Sequence, residues 1–87
     1  MTYSSMLKRA IEKKKYSLTQ VCFQLAKRDV WLDKASLSKI QNGKLPPAKD
    51  ETNKVLAEIL DIDSTKLRVA AIREIIPDDL IELIKKE

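Results

Sequence analysis

The stretch 33–44, D-K-A-S-L-S-K-I-Q-N-G-K, places small, polar and basic side chains at helical spacing. Ala35, Ser38, Lys39 and Asn42 recur at i, i+3, i+4 and i+7, so they share one helix face. None of the four is large, acidic or strongly apolar. Hydroxyl, amide and ammonium groups can bond phosphates and base edges, so this face can lie in a DNA groove. The alternative, favoured for an isolated helix of this kind, is an ordinary solvated face.

The same stretch signals where its helix begins and ends. Asp33 is a good N-cap residue and Ser36 stands at the third helical position. Asn42-Gly43 offers the left-handed exit that glycine permits. Only Leu37 and Ile40 are strongly apolar, one turn apart, so a single narrow edge of this helix is predicted to face a core.

Composition predicts one small all-α domain spanning 1–87. The 87 residues are 44% hydrophobic and 34% charged, which is typical of a folded soluble domain rather than a disordered one. One glycine, three prolines and no period-two alternation favour helices. The single cysteine, Cys22, can form no internal disulfide and is expected to be a small buried hydrophobe. Without a signal peptide or membrane-spanning run, a cytoplasmic protein is expected.

The charge is unevenly distributed along the chain. Residues 1–45 hold ten Lys/Arg against three acids, a net +7, whereas residues 46–87 hold seven against ten, a net −3. A basic half joined to an acidic half suggests a polyanionic partner on one side only. Charge alone is weak support, because many basic domains bind nothing anionic.

Two helices are predicted before the organising stretch. The first covers 4–15, with Ser4 as cap, an apolar stripe of Leu7, Ala10 and Ile11, and three lysines in its last turn. The second begins around Ser17–Thr19 and buries Leu18, Val21, Cys22 and Leu25. Gln20 stands three residues after Ser17 as in a capping box, and its side chain is predicted to cap the helix, contact DNA, or do both.

The turn between the second helix and the organising stretch contains no glycine. Asp29 is therefore the residue best able to adopt a left-handed conformation there. Val30, Trp31 and Leu32 are predicted to fill this turn from the core side. Alternatively, Trp31 is a surface aromatic for a partner.

Three further helices are predicted after the Pro46-Pro47 connector, at roughly 49–60, 64–75 and 77–87. Asp63 is expected to cap the helix over 64–75. That helix has two apolar stripes and is predicted to be covered on two sides: Leu67, Ala70, Ala71 and Ile75 form one stripe, and Val69, Ile72 and Ile76 the other. The last helix is apolar around most of its girth.

The residue types needed for catalysis are missing from the sequence. It contains no histidine, no Cys/His cluster and no glycine-rich phosphate loop. We therefore expect no enzyme activity, no metal site and no cofactor.

Two stretches together resemble a known family. Ser17-Leu18-Thr19-Gln20, then an apolar helix, a turn and A-S-L-S-K-I-Q-N-G-K resemble the lambda-repressor-like (Cro/repressor, XRE-type) helix-turn-helix proteins. The resemblance continues through Pro46-Pro47 and the segment N-K-V-L-A-E-I-L to A-A-I-R-E-I-I-P-D-D-L. L-S-K-I-x-N-G-K is its specific part. The path from Gln20 to Asn42 is about three residues longer than in the family's common form.

The resemblance implies a bundle of five short helices whose third helix, Lys34–Asn42, enters the DNA major groove. It implies a contact from Gln20 at the start of the second helix and phosphate contacts from Asn42 and Lys44. The base-facing residues it implies are Lys34, Ala35, Ser36, Ser38 and Lys39. Lysine suits guanine, serine suits several base edges, and alanine suits a thymine methyl group.

The predicted function is that of a phage or bacterial repressor-like regulator that binds double-stranded DNA in the cytoplasm, at the nucleoid. A homodimer is predicted through the C-terminal helix, centred on Leu80, Ile81, Leu83 and Ile84. The competing interpretation is that this helix folds back and completes the core of the monomer. The alternative is a protein-interaction module of the same fold, such as an antitoxin or anti-repressor, with a protein partner on the C-terminal helix.

Overall fold

The computed structural model describes residues 2–75 together with Leu80 and Leu83. Residues 2–75 form a compact all-helical bundle without strands, as predicted. It contains five helices: α1 (Tyr3–Lys14), α2 (Leu18–Lys27), α3 (Lys34–Gln41), α4 (Asp50–Leu60) and α5 (Ser64–Ile75). The predicted sixth helix lies outside the described residues, apart from Leu80 and Leu83. Among the described helices, none is both long and apolar enough to cross a membrane.

Side-chain caps fix the starts of the first three helices. Gln20 N–H donates to Ser17 Oγ at 3.1 Å and Ser17 N–H to Gln20 Oε1 at 2.7 Å, so the predicted capping box is present. Ser36 N–H donates to Asp33 Oδ2 at 3.0 Å. The predicted cap of α1 is wrong: Thr2 rather than Ser4 accepts the first-turn bond, from Ser5 N–H at 3.3 Å. The helix starts earlier because the buried Tyr3 belongs to its first turn.

Left-handed residues end several of these helices. Lys15, Asp29 and Asp61 have φ values of 58°, 59° and 55°, and the prediction for Asp29 is confirmed. Gly43 has φ 74°, and a Cβ added to it would lie 3.6 Å from Ser4 Oγ, an ordinary contact. Glycine therefore relieves the backbone at this position rather than making space. The same distance places the end of α3 beside the start of α1.

The core lies where the apolar stripes of the five helices meet. Leu7, Ile11, Val21, Leu25 and Leu67 are buried as predicted. Leu18 and Cys22 pack against this core but are only partly buried. Asp63 caps α5 as expected, because its Oδ1 accepts from Thr65 N–H at 2.9 Å and from Lys66 N–H at 3.2 Å.

A buried polar cluster links residues that are distant in sequence. Tyr3 Oη donates to Asn53 Oδ1, Asn53 Nδ2 donates to Ala48 O at 2.9 Å, and Ala48 N–H donates to Tyr3 Oη at 3.4 Å. Asn53 and Tyr3 are both buried, so each of these bonds satisfies at least one group that water cannot reach. Tyr3 N–H also donates to Glu74 Oε1 at 3.1 Å. The cluster holds the connector after α3 against α1 and α4.

Two predictions about buried apolar residues are wrong. Trp31 is 80% exposed instead of filling the turn from the core side. Residues 30–33 form no helix, and outside a helix neighbouring side chains can point to opposite sides: Val30 and Leu32 pack on the core, and Trp31 between them faces away. In α5, Val69 and Ile72 are 42% and 49% exposed and Ile75 is 64% exposed. Within the described residues, α5 is covered on one side only.

Candidate nucleic-acid interface

Two buried side chains attach α3 to the bundle. Leu37 is fully buried and Ile40 is 6% exposed, and the helix packs against both α1 and α2. The helix cannot rotate about its axis without exposing these two side chains. They therefore fix which residues of α3 face solvent.

The outward face of α3 consists of the side chains opposite Leu37 and Ile40. Four of them are exposed and Ser38 is half-buried; the set is Lys34, Ala35, Ser38, Lys39 and Asn42 at the C-cap. At about 100° per residue, these positions cover an arc of roughly 140° centred opposite the buried edge. The structure thus brings together five of the residues that the sequence predicts for DNA binding.

Ser36 stands apart from this face. Its hydroxyl donates to Asp33 Oδ1 at 2.6 Å while its backbone N–H donates to Asp33 Oδ2, so its side chain completes the cap. These Ser36 hydrogen bonds, the side-chain bond foremost, lower the pKa of the Asp33 carboxyl below its ordinary value. The one carboxylate at the start of α3 is therefore ionised and already bonded within the helix.

Asn42 and Lys44 lie at the C-terminal end of α3. Asn42 Nδ2 donates to Ser38 O at 2.8 Å, which holds the amide against the helix end and leaves its second hydrogen for a ligand. The backbone N–H groups of Lys44 and Leu45 both donate to Lys39 O, at 2.8 and 3.3 Å. This fixes the chain as it leaves the helix and presents the exposed Lys44 side chain next to the outward face.

Gln20 is exposed at the start of α2, but its carbonyl oxygen accepts the Ser17 N–H bond. The amide nitrogen of its side chain forms no hydrogen bond with another described residue and can donate to DNA. The first-turn N–H of Gln20 is itself bonded to Ser17 Oγ, so fewer free N–H groups point out of this helix end than the sequence suggests. Capping accounts for this residue in the free protein.

The two lysines of α3 and Lys44 differ from several other cations of the molecule in their ion pairing. Lys14, Arg28 and Arg68 lie within 3.9, 3.9 and 2.7 Å of carboxylate oxygens of Asp61, Glu58 and Asp50. No such ion pair to another described residue is formed by Lys34, Lys39 or Lys44. Their charges are available to an anionic ligand.

Sequence reasoning missed an exposed aromatic residue on α2. Phe23 is 60% exposed, and Lys27 Nζ lies 4.8 Å from the centre of its ring. The signal was present, since Phe23 falls outside the inward pattern of α2 and Lys27 follows it by four residues.

Cys22, on the inner side of α2, has a pKa raised chiefly by burial, which favours the protonated thiol.

Within the described part of the chain, no group of three or more His, Cys, Asp or Glu side chains is arranged to hold a metal ion. The comparisons with known proteins add no identification. No protein-family model matches the chain, and no curated protein or solved structure is significantly similar to it.

Proposed function

We propose that this protein is a sequence-specific DNA-binding transcriptional regulator of the lambda-repressor-like type, reading the major groove with α3. The observation that carries the proposal is the outward face of α3. It combines two cations with small hydrogen-bonding side chains, contains no acid, and is held in a fixed orientation by Leu37 and Ile40. A helix with this profile fits between the phosphate rows of B-DNA.

The residues of the site divide into two roles. Lys34, Ala35, Ser38 and Lys39 contact base edges, and Asn42 and Lys44 contact phosphates at the end of the helix. Ser36 acts through the cap, and Gln20 contributes a donor contact from its amide nitrogen. Phosphate contacts supply most of the affinity, and α3 supplies the choice of sequence.

Selection from a random pool of double-stranded DNA tests the proposal, because the pool contains every short operator sequence. We expect an enriched motif that the protein binds at least about 10³-fold more tightly than a scrambled duplex at physiological salt. Affinity for both duplexes should fall as salt rises, because bound phosphates release counterions. A pool that shows no enrichment after several rounds would reject sequence-specific recognition.

A second candidate function, the binding of another protein chain, is supported by the exposed apolar surface of α5, Leu80 and Leu83. Val69, Ile72 and Ile75 on α5 are exposed, and Leu80 and Leu83 are 46% and 59% exposed. Ile81 and Ile84 lie outside the described residues. Exposed apolar patches mark protein interfaces. In a regulator, this surface would form the homodimer and set the half-sites roughly 34 Å apart; in an antitoxin or anti-repressor, it would bind the partner protein.

A further inference from the structure

A groove of about 580 Å³ lies between the α2–α3 turn and the start of α4. This volume falls within the range of roughly 300–1,000 Å³ that is usual for ligand sites. The groove's floor consists of apolar side chains that are at least half-buried: Val30, Leu32, Ile40, Pro47 and Ala48. The buried Tyr3–Asn53–Ala48 hydrogen bonds hold the connector that forms one side of it. The groove is therefore a preformed feature of the fold.

Trp31 forms part of the wall of this groove and is 80% exposed. Its indole presents a large apolar surface to solvent, although Val30 and Leu32 on either side of it pack against the core. An aromatic ring in this position can take a cation over its face, and a guanidinium stacks on indole better than an ammonium does.

The rim of the groove adds negative charge. Asp29, Asp50 and Glu51 stand there with a single cation, Lys49. Asp50 is already paired, because its two carboxylate oxygens accept bonds from Arg68 Nε at 2.7 Å and Nη2 at 3.0 Å. Asp29 and Glu51 form no ion pair with another described residue. Two carboxylates without a partner and an exposed indole thus surround an apolar floor.

We propose that this groove binds an arginine-containing apolar peptide segment of a partner protein. The guanidinium lies on the Trp31 ring between the carboxylates of Asp29 and Glu51, and neighbouring apolar side chains of the segment cover the floor. This charge preference is the opposite of that of α3, whose face suits an anion. This small protein therefore carries two surfaces that select different partners.

The groove and the outward face of α3 lie on different sides of that helix. Ile40, the one α3 residue in the groove, stands roughly 170° around the helix from the middle of the outward face. A peptide in the groove leaves the outward face open. The inference holds whether or not α3 binds DNA, because none of its contacts is shared with that face.

Titration of the ¹⁵N-labelled full chain with acetyl-Leu-Arg-Leu-amide, followed by two-dimensional NMR, tests the proposal. Trp31 is the single tryptophan of the chain, so its indole N–H signal is assigned without ambiguity. We expect saturable shifts of that signal and of the backbone N–H signals of 29–32 and 48–52. The same peptide with citrulline, which keeps the shape and loses the charge, should bind roughly tenfold more weakly.

Variants separate the groove from general charge effects. Trp31→Ala should abolish the shifts of 48–52 while its thermal melt stays close to that of the parent, since the side chain is exposed. Glu51→Gln should weaken binding of the arginine peptide and leave the citrulline peptide unchanged. Glu12→Gln, the same change at an exposed residue of α1 that does not line the groove, is the matched control and should behave like the parent chain.

Three results would overturn the proposal. The first is that no arginine peptide gives saturable shifts, neither the leucine peptide nor the versions in which isoleucine or phenylalanine replaces leucine. The second is equal affinity for the arginine and citrulline peptides. The third is a Trp31 signal that moves with duplex DNA and not with any peptide, which would assign the groove to nucleic acid.

Discussion

At the level of single side chains, Lys39 and Lys44 are expected to differ in what they contact. Lys39 stands in the outward face of α3, and Lys44 follows the end of the helix. We predict that Lys39→Ala weakens binding to the selected DNA motif by about 1–3 kcal/mol and relaxes base preference. Lys44→Ala should weaken binding to all sequences alike and reduce the salt slope by roughly one. Fluorescence anisotropy at several salt concentrations measures both effects.

Lys66→Ala is the control for these two variants, because it removes an exposed lysine from α5. Its affinity and salt slope should stay near those of the parent chain. Equal losses on the selected motif and on random DNA for both α3 variants would show that α3 does not read sequence.

Tyr3 supports a different prediction at this scale, because its hydroxyl is the centre of the buried polar cluster. Tyr3→Phe leaves the buried Asn53 Oδ1 and the partly buried Ala48 N–H without their partner. We predict a loss of about 1–3 kcal/mol in the free energy of unfolding, measured by urea denaturation. Tyr16→Phe, at a half-buried tyrosine, should cost much less. Similar losses in the two variants would mean that the cluster contributes little.

The same phenol predicts a pH dependence. Burial, more than any other cause, raises the pKa of Tyr3 from 10.0 to about 12. The folded chain holds the Tyr3 proton more tightly than the unfolded chain does. The contribution of this phenol to the free energy of unfolding is therefore complete below pH 10 and is lost as the pH rises from 10 to about 12. The loss amounts to roughly 2–3 kcal/mol. The measurement is the difference in the free energy of unfolding between the parent chain and Tyr3→Phe, because groups common to both chains cancel. This difference should narrow across the same pH window.

At the level of the helix, Leu37 is the more deeply buried of the two side chains that attach α3 to the bundle. Leu37 is fully buried beneath the helix, and Leu37→Ala is predicted to lower the free energy of unfolding by roughly 2–5 kcal/mol. Leu45→Ala, at a leucine that is 40% exposed, is the matched control and should have a small effect. A thermal melt that is unchanged by Leu37→Ala would place the outward face of α3 elsewhere on the helix.

Local signals explain which helix features were predictable. Asp33 with Ser36, and Ser17 with Gln20, satisfy backbone groups within three residues of themselves, so their caps can be read from the sequence. Trp31 could not be placed in this way. Its neighbours Val30 and Leu32 are also apolar, and only the path of this non-helical turn decides which of the three faces away from the core.

Most of the outward face of α3 was predictable for the same reason, since two apolar residues one turn apart determine the opposite side. Asn53 was not. Its polar side chain falls among helix residues that suit solvent equally well, and its burial depends on Tyr3, which lies 50 positions away. A contact at that separation leaves no periodic trace in the sequence.

At the level of the whole molecule, the exposed apolar surface of α5 and of Leu80 and Leu83 predicts self-association. We expect the intact chain to sediment as a dimer at micromolar concentration. Ile81→Asp combined with Ile84→Asp should give a monomer, and so should Ile72→Asp, at a residue of α5 that is 49% exposed. Phe23→Asp replaces an apolar residue on α2 that is 60% exposed and should leave the dimer intact. A parent chain that sediments as a monomer and binds a single half-site tightly would reject the dimer.

The bond from Tyr3 N–H to Glu74 Oε1 spans 71 positions and has a consequence for synthesis on the ribosome. At roughly 5–20 residues per second, Tyr3 is made about 4–14 s before Glu74. During that time α1 has neither its Glu74 partner nor, at first, the Asn53 amide, and its apolar stripe is exposed to other molecules in the cell. The nascent chain therefore completes its core only after Glu74 has been made. Slower elongation would lengthen its exposure to chaperones and proteases.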